Sequence, residues 1–136
     1  MEQKDYLLRE IEKIGLVLSV IRQKLFGGKE NLAITLESQI EAAKSMLLNG
    51  TNFDLDKFLA LNSEDSNKYI CGFEGFSIEN IECLAEYFSQ IGFRDESGKS
   101  KIYLEKSLQL YELCNLKSKT YSLERETNIK AVKNAL

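Results

Sequence analysis

From Leu7 to Leu25, apolar residues recur every three or four positions. This spacing places them on one face of an α-helix, which we expect to begin near Asp5 and to end at Gly27–Gly28. The second half of this helix carries further apolar residues outside that face. It is therefore either a central core helix or a helix that is buried against a second copy of the chain. The main stripe is Leu7, Ile11, Ile14, Leu18, Ile21 and Leu25, and the additional residues are Leu16, Val17 and Val20.

A second helical stripe follows after a short link, which predicts an antiparallel helical hairpin over residues 5–48. Asn31 is a suitable cap for its start, and Asn49–Gly50 is a suitable stop. Two short helices are predicted next, over residues 53–61 and 63–71. The second stripe consists of Leu32, Leu36, Ile40, Ala43 and Leu47.

Ser77 marks the start of a further helix that the pattern extends to about Gly92. Its hydroxyl can cap the helix, and Phe76 can pack on Ile81 as a hydrophobic staple. A loop is expected at residues 95–98. The side chains predicted to face inward are Ile81, Leu84, Phe88 and Ile91.

Two more helices complete the chain, one over residues 101–116 and one that Ser122 caps. No segment shows the alternation of a half-buried strand. The sequence therefore predicts an all-α fold with about five main helices and one or two short ones, arranged as antiparallel hairpins. The apolar positions are Tyr103, Leu104, Ser107, Leu108, Leu110, Tyr111 and Cys114 in the first of these helices and Ile129, Val132 and Leu136 in the last.

The composition removes several classes of chemistry. The 136 residues include no histidine, no proline and no tryptophan. Without histidine the chain lacks the usual general base, the commonest metal ligand and the familiar nucleophile systems. Cys71, Cys83 and Cys114 are too widely spaced for a disulfide framework or a zinc site, so we expect reduced and mostly buried thiols. We expect no catalytic residue, no cofactor and no metal, and therefore not an enzyme.

Charge and hydropathy limit the partners. The net charge is −3, and an acidic middle precedes a basic end. The basic end has neither an arginine cluster nor an aromatic stacking platform, so nucleic-acid binding is not expected. The most apolar run, residues 14–21, is much shorter than the roughly 20 residues that span a bilayer. The charged N-terminus does not read as a signal peptide, and we expect a cytoplasmic protein without membrane contact.

A leucine, several small residues and two aromatic residues occur at fixed spacings in the helices predicted over residues 78–92 and 101–116. They are Leu84, Ala85, Phe88 and Gly92 in the first helix and Ser107, Tyr111 and Cys114 in the second. This pattern resembles the helix pair of a tetratricopeptide repeat, although the closing proline and a second unit of about 34 residues are absent. The resemblance implies a repeat-like helix pair plus a C-terminal helix over residues 78–136.

Residues 3–12, 55–61 and 121–126 resemble small uncharacterised bacterial proteins with this helical layout. That likeness implies the fold, a single all-helical domain over residues 1–136, and no particular activity.

One stripe of the helix after Ser77 lies opposite its apolar face. In a repeat-like module it would face a partner, and its carboxylates would accept lysines or arginines of a basic protein or peptide. Two other interpretations stay open: a solvated face, and pairing with the basic C-terminal end inside the same fold. The stripe is Glu79, Glu82, Glu86, Ser89 and Gln90, and the basic residues are Lys117, Lys119, Arg125, Lys130 and Lys133.

The leading functional hypothesis is therefore an interaction or adaptor module that binds a protein or peptide through helix surfaces. The first alternative is a structural or regulatory protein that self-associates, for example as a homodimer through the N-terminal helix. The second is an enzyme without histidine that acts on a small molecule through carboxylates or a tyrosine.

Overall fold

The computed structural model describes residues 2–26, 35–94 and 101–136. Within these ranges the chain forms seven α-helices, and no strand occurs among the described residues. The predicted all-α fold is confirmed. The helices are α1 (Glu2–Ile21), which a π-helical segment (Arg22–Phe26) follows, α2 (Leu36–Thr51), α3 (Leu55–Ala60), α4 (Ser63–Cys71), α5 (Ile78–Arg94), α6 (Lys101–Lys117) and α7 (Leu123–Ala135).

The chain divides into two compact units, Met1–Asn80 and Ile81–Leu136. The division falls inside the first turn of α5, so the first unit contains α1 to α4 and the second contains most of α5 with α6 and α7. That the whole chain forms a single domain stays a prediction. None of the described helices combines the length and apolarity needed to cross a membrane.

The predicted stripe of α1 is buried only in the second half of the helix. Ile14, Leu18 and Ile21 are buried, whereas Leu7 is exposed. Leu16, which lies outside the stripe, is 67% exposed. The predicted stripe is therefore confirmed as buried for these three residues, and both the central core helix and the homodimer stay predictions.

The second helix stops at a residue other than the one predicted. It begins behind Thr35, whose hydroxyl accepts a hydrogen bond from the backbone N–H of Ser38 at 3.1 Å. It ends at Thr51, and Asn52 follows with a φ of 64° in the left-handed region that asparagine tolerates. The predicted stop at Asn49–Gly50 is wrong because Gly50 stays helical. A Cβ at Gly50 would lie only 2.8 Å from Cγ2 of Val17, so the glycine permits a close approach to α1. The predicted start at Asn31 and Leu32 and the stop at Gly27–Gly28 lie outside the described residues.

The two short helices of the first unit are packed around a cluster of aromatic rings. Phe53 is fully buried, and its ring centroid lies 5.1–5.6 Å from four others. The Tyr69 hydroxyl accepts a hydrogen bond from the N–H of Asp54 at 2.9 Å. This bond ties the N-cap residue of α3 to α4. The four neighbouring rings are Phe58, Tyr69, Phe73 and Phe76.

Asn80 connects the start of α5 to α1. Its Nδ2 donates to the carbonyl oxygens of Ile11, at 3.0 Å, and Gly75, at 2.8 Å. Gly75 lies so close to α1 that a Cβ would overlap the Glu10 carbonyl. The Ser77 hydroxyl accepts the N–H of Asn80 at 3.3 Å, which confirms the predicted cap of α5.

In the second unit, α5 and α6 pack closely and run antiparallel. The Ser107 hydroxyl donates to the carbonyl oxygen of Ala85 at 2.7 Å. About two turns of α5 later, a Cβ at Gly92 would overlap the side chain of Leu104. Because later positions of α5 meet earlier positions of α6, this pair forms the predicted antiparallel hairpin. The predicted inward residues of α5 are all buried: Ile81, Leu84, Phe88 and Ile91.

The last helix is attached through few side chains. Ser122 caps it as predicted, since its hydroxyl accepts the N–H of Arg125 at 3.2 Å. Of the side chains of α7, only those of Arg125, Ile129 and Val132 are buried. Leu136, predicted as part of the apolar face, is exposed. A charged residue therefore supplies one third of the buried positions of this helix.

Candidate partner-binding surface on α5

The five residues of the predicted stripe differ in their exposure. Glu79 is exposed and belongs to the first unit. Glu82, Glu86 and Gln90 are half-buried in the second unit, and Ser89 is only 7% exposed. The stripe is therefore not a uniformly solvated helix face.

Glu82 forms an ion pair with an arginine of α7. The Nε and Nη2 groups of Arg125 both donate to Oε1 of Glu82. The Arg125 side chain is 6% exposed, whereas that of Glu82 remains 34% exposed. Pairing between the stripe and the basic end is thus confirmed for this pair. None of Lys117, Lys119, Lys130 and Lys133 forms an ion pair within the described residues.

A second oxygen ligand of the guanidinium comes from α6. The Nη1 group of Arg125 donates to Oδ1 of Asn115 at 3.1 Å. The amide of Asn115 is itself oriented, because its Nδ2 donates to Oε1 of Glu126 at 3.2 Å. A buried guanidinium is costly unless its donors are paired. The carboxylate on α5 and the amide oxygen on α6 supply that pairing from two helices.

Ser89 links α5 to α6. Its hydroxyl donates to the Glu86 carbonyl oxygen at 2.7 Å, and its side chain lies beside the hydroxyl of Tyr111 on α6. Burial raises the pKa of Tyr111, and the negative charge of Glu86 adds to the increase. The phenol therefore stays protonated near neutral pH. Ser89 is thus engaged inside the fold, away from the solvent-facing part of the stripe.

Glu82, Glu86 and Gln90 form the part of the stripe that the second unit leaves half-exposed. They follow one another at intervals of one helical turn, and Nε2 of Gln90 donates to Oε1 of Glu86 at 3.4 Å. Two carboxylates and an amide in this order present several hydrogen-bond acceptors to a cationic side chain.

The described residues contain no group of three or more acidic, cysteine or histidine side chains that could hold a metal ion. The three cysteines are free thiols. Cys114 is buried and Cys83 half-buried, but the expectation of a buried thiol is wrong for Cys71, which is exposed. Cys71 lies one position beyond Ile70, the last buried residue of α4, and so projects from another side of that helix.

Arg125 is the residue of the candidate site that the stripe alone does not identify. It is the third residue of α7, where a cation opposes the helix dipole. A cation at such a position is unfavourable unless nearby acceptors compensate. The position of Arg125 just after the capping Ser122 is the signal in the sequence that indicates such acceptors. Its partners, one on α5 and one on α6, depend on how three helices pack.

Comparison with models of known protein families, with curated proteins and with solved structures found no match for this chain. The resemblances to tetratricopeptide repeats and to small bacterial proteins therefore stay predictions.

Proposed function

We propose that this protein is a helical interaction module that binds a basic protein or peptide through the acidic surface of α5. The observation that carries the proposal is the ion pair between Glu82 and Arg125, in which this surface already binds a guanidinium group. The partner-facing residues in the second unit are Glu82, Glu86 and Gln90. Glu79, which belongs to the first unit, is a further candidate.

The packing of α5 on α6 supports a repeat-like module. Ala85 and Gly92, two of the small positions of the repeat pattern, lie where the helices approach closely. The ring of Phe88, an aromatic position of the pattern, contacts Tyr103 with centroids 5.8 Å apart. A rigid hairpin of this kind suits a binding surface, since little conformational entropy is lost when a partner docks.

The chemistry of the surface favours a cationic partner. Hydrogen bonds from lysine or arginine to carboxylates are stronger than those between neutral groups. Complementary charge also accelerates the encounter and makes the association sensitive to salt. The partner is therefore a segment rich in lysine or arginine.

The proposal is tested by native co-purification with the tagged protein, comparing wild type with Glu86→Lys. The matched control is Glu112→Lys, which reverses an exposed charge on α6. We expect wild type and the control to recover basic proteins that Glu86→Lys does not recover. Circular dichroism should show that all three proteins are equally folded. Equal recovery by all three proteins would refute the binding role of α5.

A second proposal, self-association through α1, is supported by exposed apolar residues on that helix. Light scattering over a range of concentrations should show a dimer that Leu16→Ser weakens. Leu116→Ser, which replaces an exposed leucine of α6, serves as the matched control. A monomer at all concentrations would contradict self-association. The exposed apolar residues of α1 are Tyr6, Leu7, Leu8 and Leu16.

A further inference from the structure

The contacts of Arg125 form a binding site for a guanidinium group that uses each of its three nitrogens. Glu82 accepts from two of its nitrogens and Asn115 from the third. The two oxygen atoms come from different helices, and Glu126 orients the amide that provides one of them. All three of these side chains belong to the second unit.

The helix that supplies this arginine is held by a small apolar contact. Only Ile129 and Val132 accompany Arg125 among the buried side chains of α7. Leu123 and Leu136, at its two ends, are both exposed. A helix of 13 residues is marginal on its own, so its position depends on these contacts. The guanidinium contacts therefore make a large part of the attachment of α7.

We propose that Glu82 and Asn115 form an arginine-binding subsite, which α7 occupies with Arg125 and which an arginine of the partner takes over by displacing α7. This inference rests on the proposed function, because it names the side chain that the acidic surface of α5 recognises. In the isolated chain α7 is a built-in competitor of the partner.

The geometry selects arginine over lysine. A guanidinium is planar and has donors that diverge, so one group can reach the carboxylate on α5 and the amide oxygen on α6 together. An ammonium group is a compact point charge without that fixed fork. A lysine in the subsite would therefore not reproduce the same set of contacts.

Occupation by Arg125 has a consequence that a purely structural ion pair does not have. When Arg125 occupies the subsite in most molecules, an external ligand binds with reduced apparent affinity. The apparent affinity is the intrinsic affinity multiplied by the fraction of molecules in which the subsite is vacant. Removing the internal arginine should therefore increase the affinity for an arginine ligand, even though it weakens the fold.

The first test is chemical complementation of Arg125→Ala with methylguanidinium at millimolar concentration. We expect the thermal midpoint of this variant to rise more with methylguanidinium than with methylammonium. No such difference is expected for three other proteins. In wild type, Arg125 occupies the subsite, and the double variant Arg125→Ala/Glu82→Gln lacks its carboxylate. The matched control Lys130→Ala changes an exposed residue of α7 outside the subsite. An equal response of Arg125→Ala to both ions would overturn the subsite.

The second test uses a labelled peptide of residues 121–136 and the same peptide with lysine at the position of Arg125. We expect the arginine peptide to bind the full-length Arg125→Ala variant about tenfold more tightly than wild type, which corresponds to about 1.4 kcal/mol. The lysine peptide should gain much less. Equal binding of the arginine peptide to both proteins would overturn the displacement of α7. If Arg125→Ala does not fold, the peptide test is made with Arg125→Lys, whose ammonium group does not reproduce the guanidinium contacts.

Failure of this inference differs from failure of the proposed function. If a partner no longer binds Glu86→Lys but binds Glu82→Gln with full affinity, α5 is still the binding surface and the arginine subsite is refuted. A partner retained by both variants would refute the two proposals together.

Discussion

Arg125 of α7 is bound by Glu82 of α5 in a pair whose two members differ in burial. The guanidinium side chain is 6% exposed and the carboxylate side chain 34% exposed. The negative end of the pair is therefore accessible from solvent, while the positive end is enclosed by the second unit. This asymmetry gives one acidic residue both a structural role and a surface that a partner can contact.

Replacing Glu82 by glutamine should destabilise the protein. The change keeps the shape of the side chain but leaves the Arg125 charge buried without a counter-charge. Breaking a fully buried pair costs about 3–5 kcal/mol, and because Glu82 keeps part of its exposure we expect about 2 kcal/mol. Unfolding in urea measures the loss. Glu112→Gln is the control and should change the free energy of unfolding by no more than about 0.5 kcal/mol. An equal effect of both variants would exclude the ion pair as a stabilising contact.

Gly92→Ala and Gly15→Ala should have opposite effects although both replace a helical glycine. A Cβ at Gly92 would overlap Leu104, and we expect a loss of about 1–2 kcal/mol after the gain in helix propensity. Among the described residues, a Cβ at Gly15 meets only Oδ1 of Asn80, at 3.4 Å, so alanine there should be neutral or stabilise by up to about 1 kcal/mol. Thermal unfolding of the two variants compares them directly. Equal stabilisation would mean that α5 and α6 do not approach at Gly92.

Stability should fall in strongly alkaline solution because of Tyr111. Its pKa is raised in the folded protein, mainly by burial and then by Glu86, so the folded state retains this proton more strongly than the unfolded state. The stabilisation is present below the ordinary tyrosine pKa of about 10 and is lost as the pH rises above it. Tyr111→Phe should flatten this part of the pH profile. In absorbance titrations of the six tyrosines, the same variant should remove one late-ionising group, and an unchanged titration would contradict the assignment.

The hydroxyl of Tyr69 should contribute separately from its ring. Tyr69→Phe keeps the aromatic cluster but leaves the N–H of Asp54 without its acceptor. We expect a loss of about 1 kcal/mol, the usual value for one hydrogen bond. Phe73→Leu, which instead removes a ring of the cluster, should cost more. Tyr69→Phe with wild-type stability would show that solvent replaces the bond at no cost.

Local signals in the sequence predict the starts of α5 and α7. Ser77 and Ser122 cap α5 and α7 because a capping hydroxyl bonds to an N–H only three residues away. The end of α2 was mispredicted because Gly50 has a tertiary role. Its missing Cβ accommodates Val17, and Asn52 ends the helix instead. A glycine that terminates a helix and one that permits close packing look the same in sequence.

The candidate site was partly predictable for the same reason. Periodicity places Glu82 and Glu86 on one face of α5, since positions on a single helix follow from its pitch. It does not reveal that Ser89 contacts Tyr111 or that Arg125 contacts Glu82, because these pairs are 22 and 43 positions apart. Such contacts depend on the packing of helices against each other. The sequence left pairing and solvation of the stripe as alternatives, and the structure distinguishes them residue by residue.

The central claim is that the acidic surface of α5 binds a basic partner. The most direct measurement is the affinity of a co-purified partner for wild type, Glu86→Lys and Glu112→Lys, by isothermal titration at two salt concentrations. We predict at least a tenfold loss for Glu86→Lys, about 1.4 kcal/mol, with wild-type affinity for Glu112→Lys and weaker binding of wild type at high salt. Equal affinity of all three proteins, independent of salt, would contradict the claim.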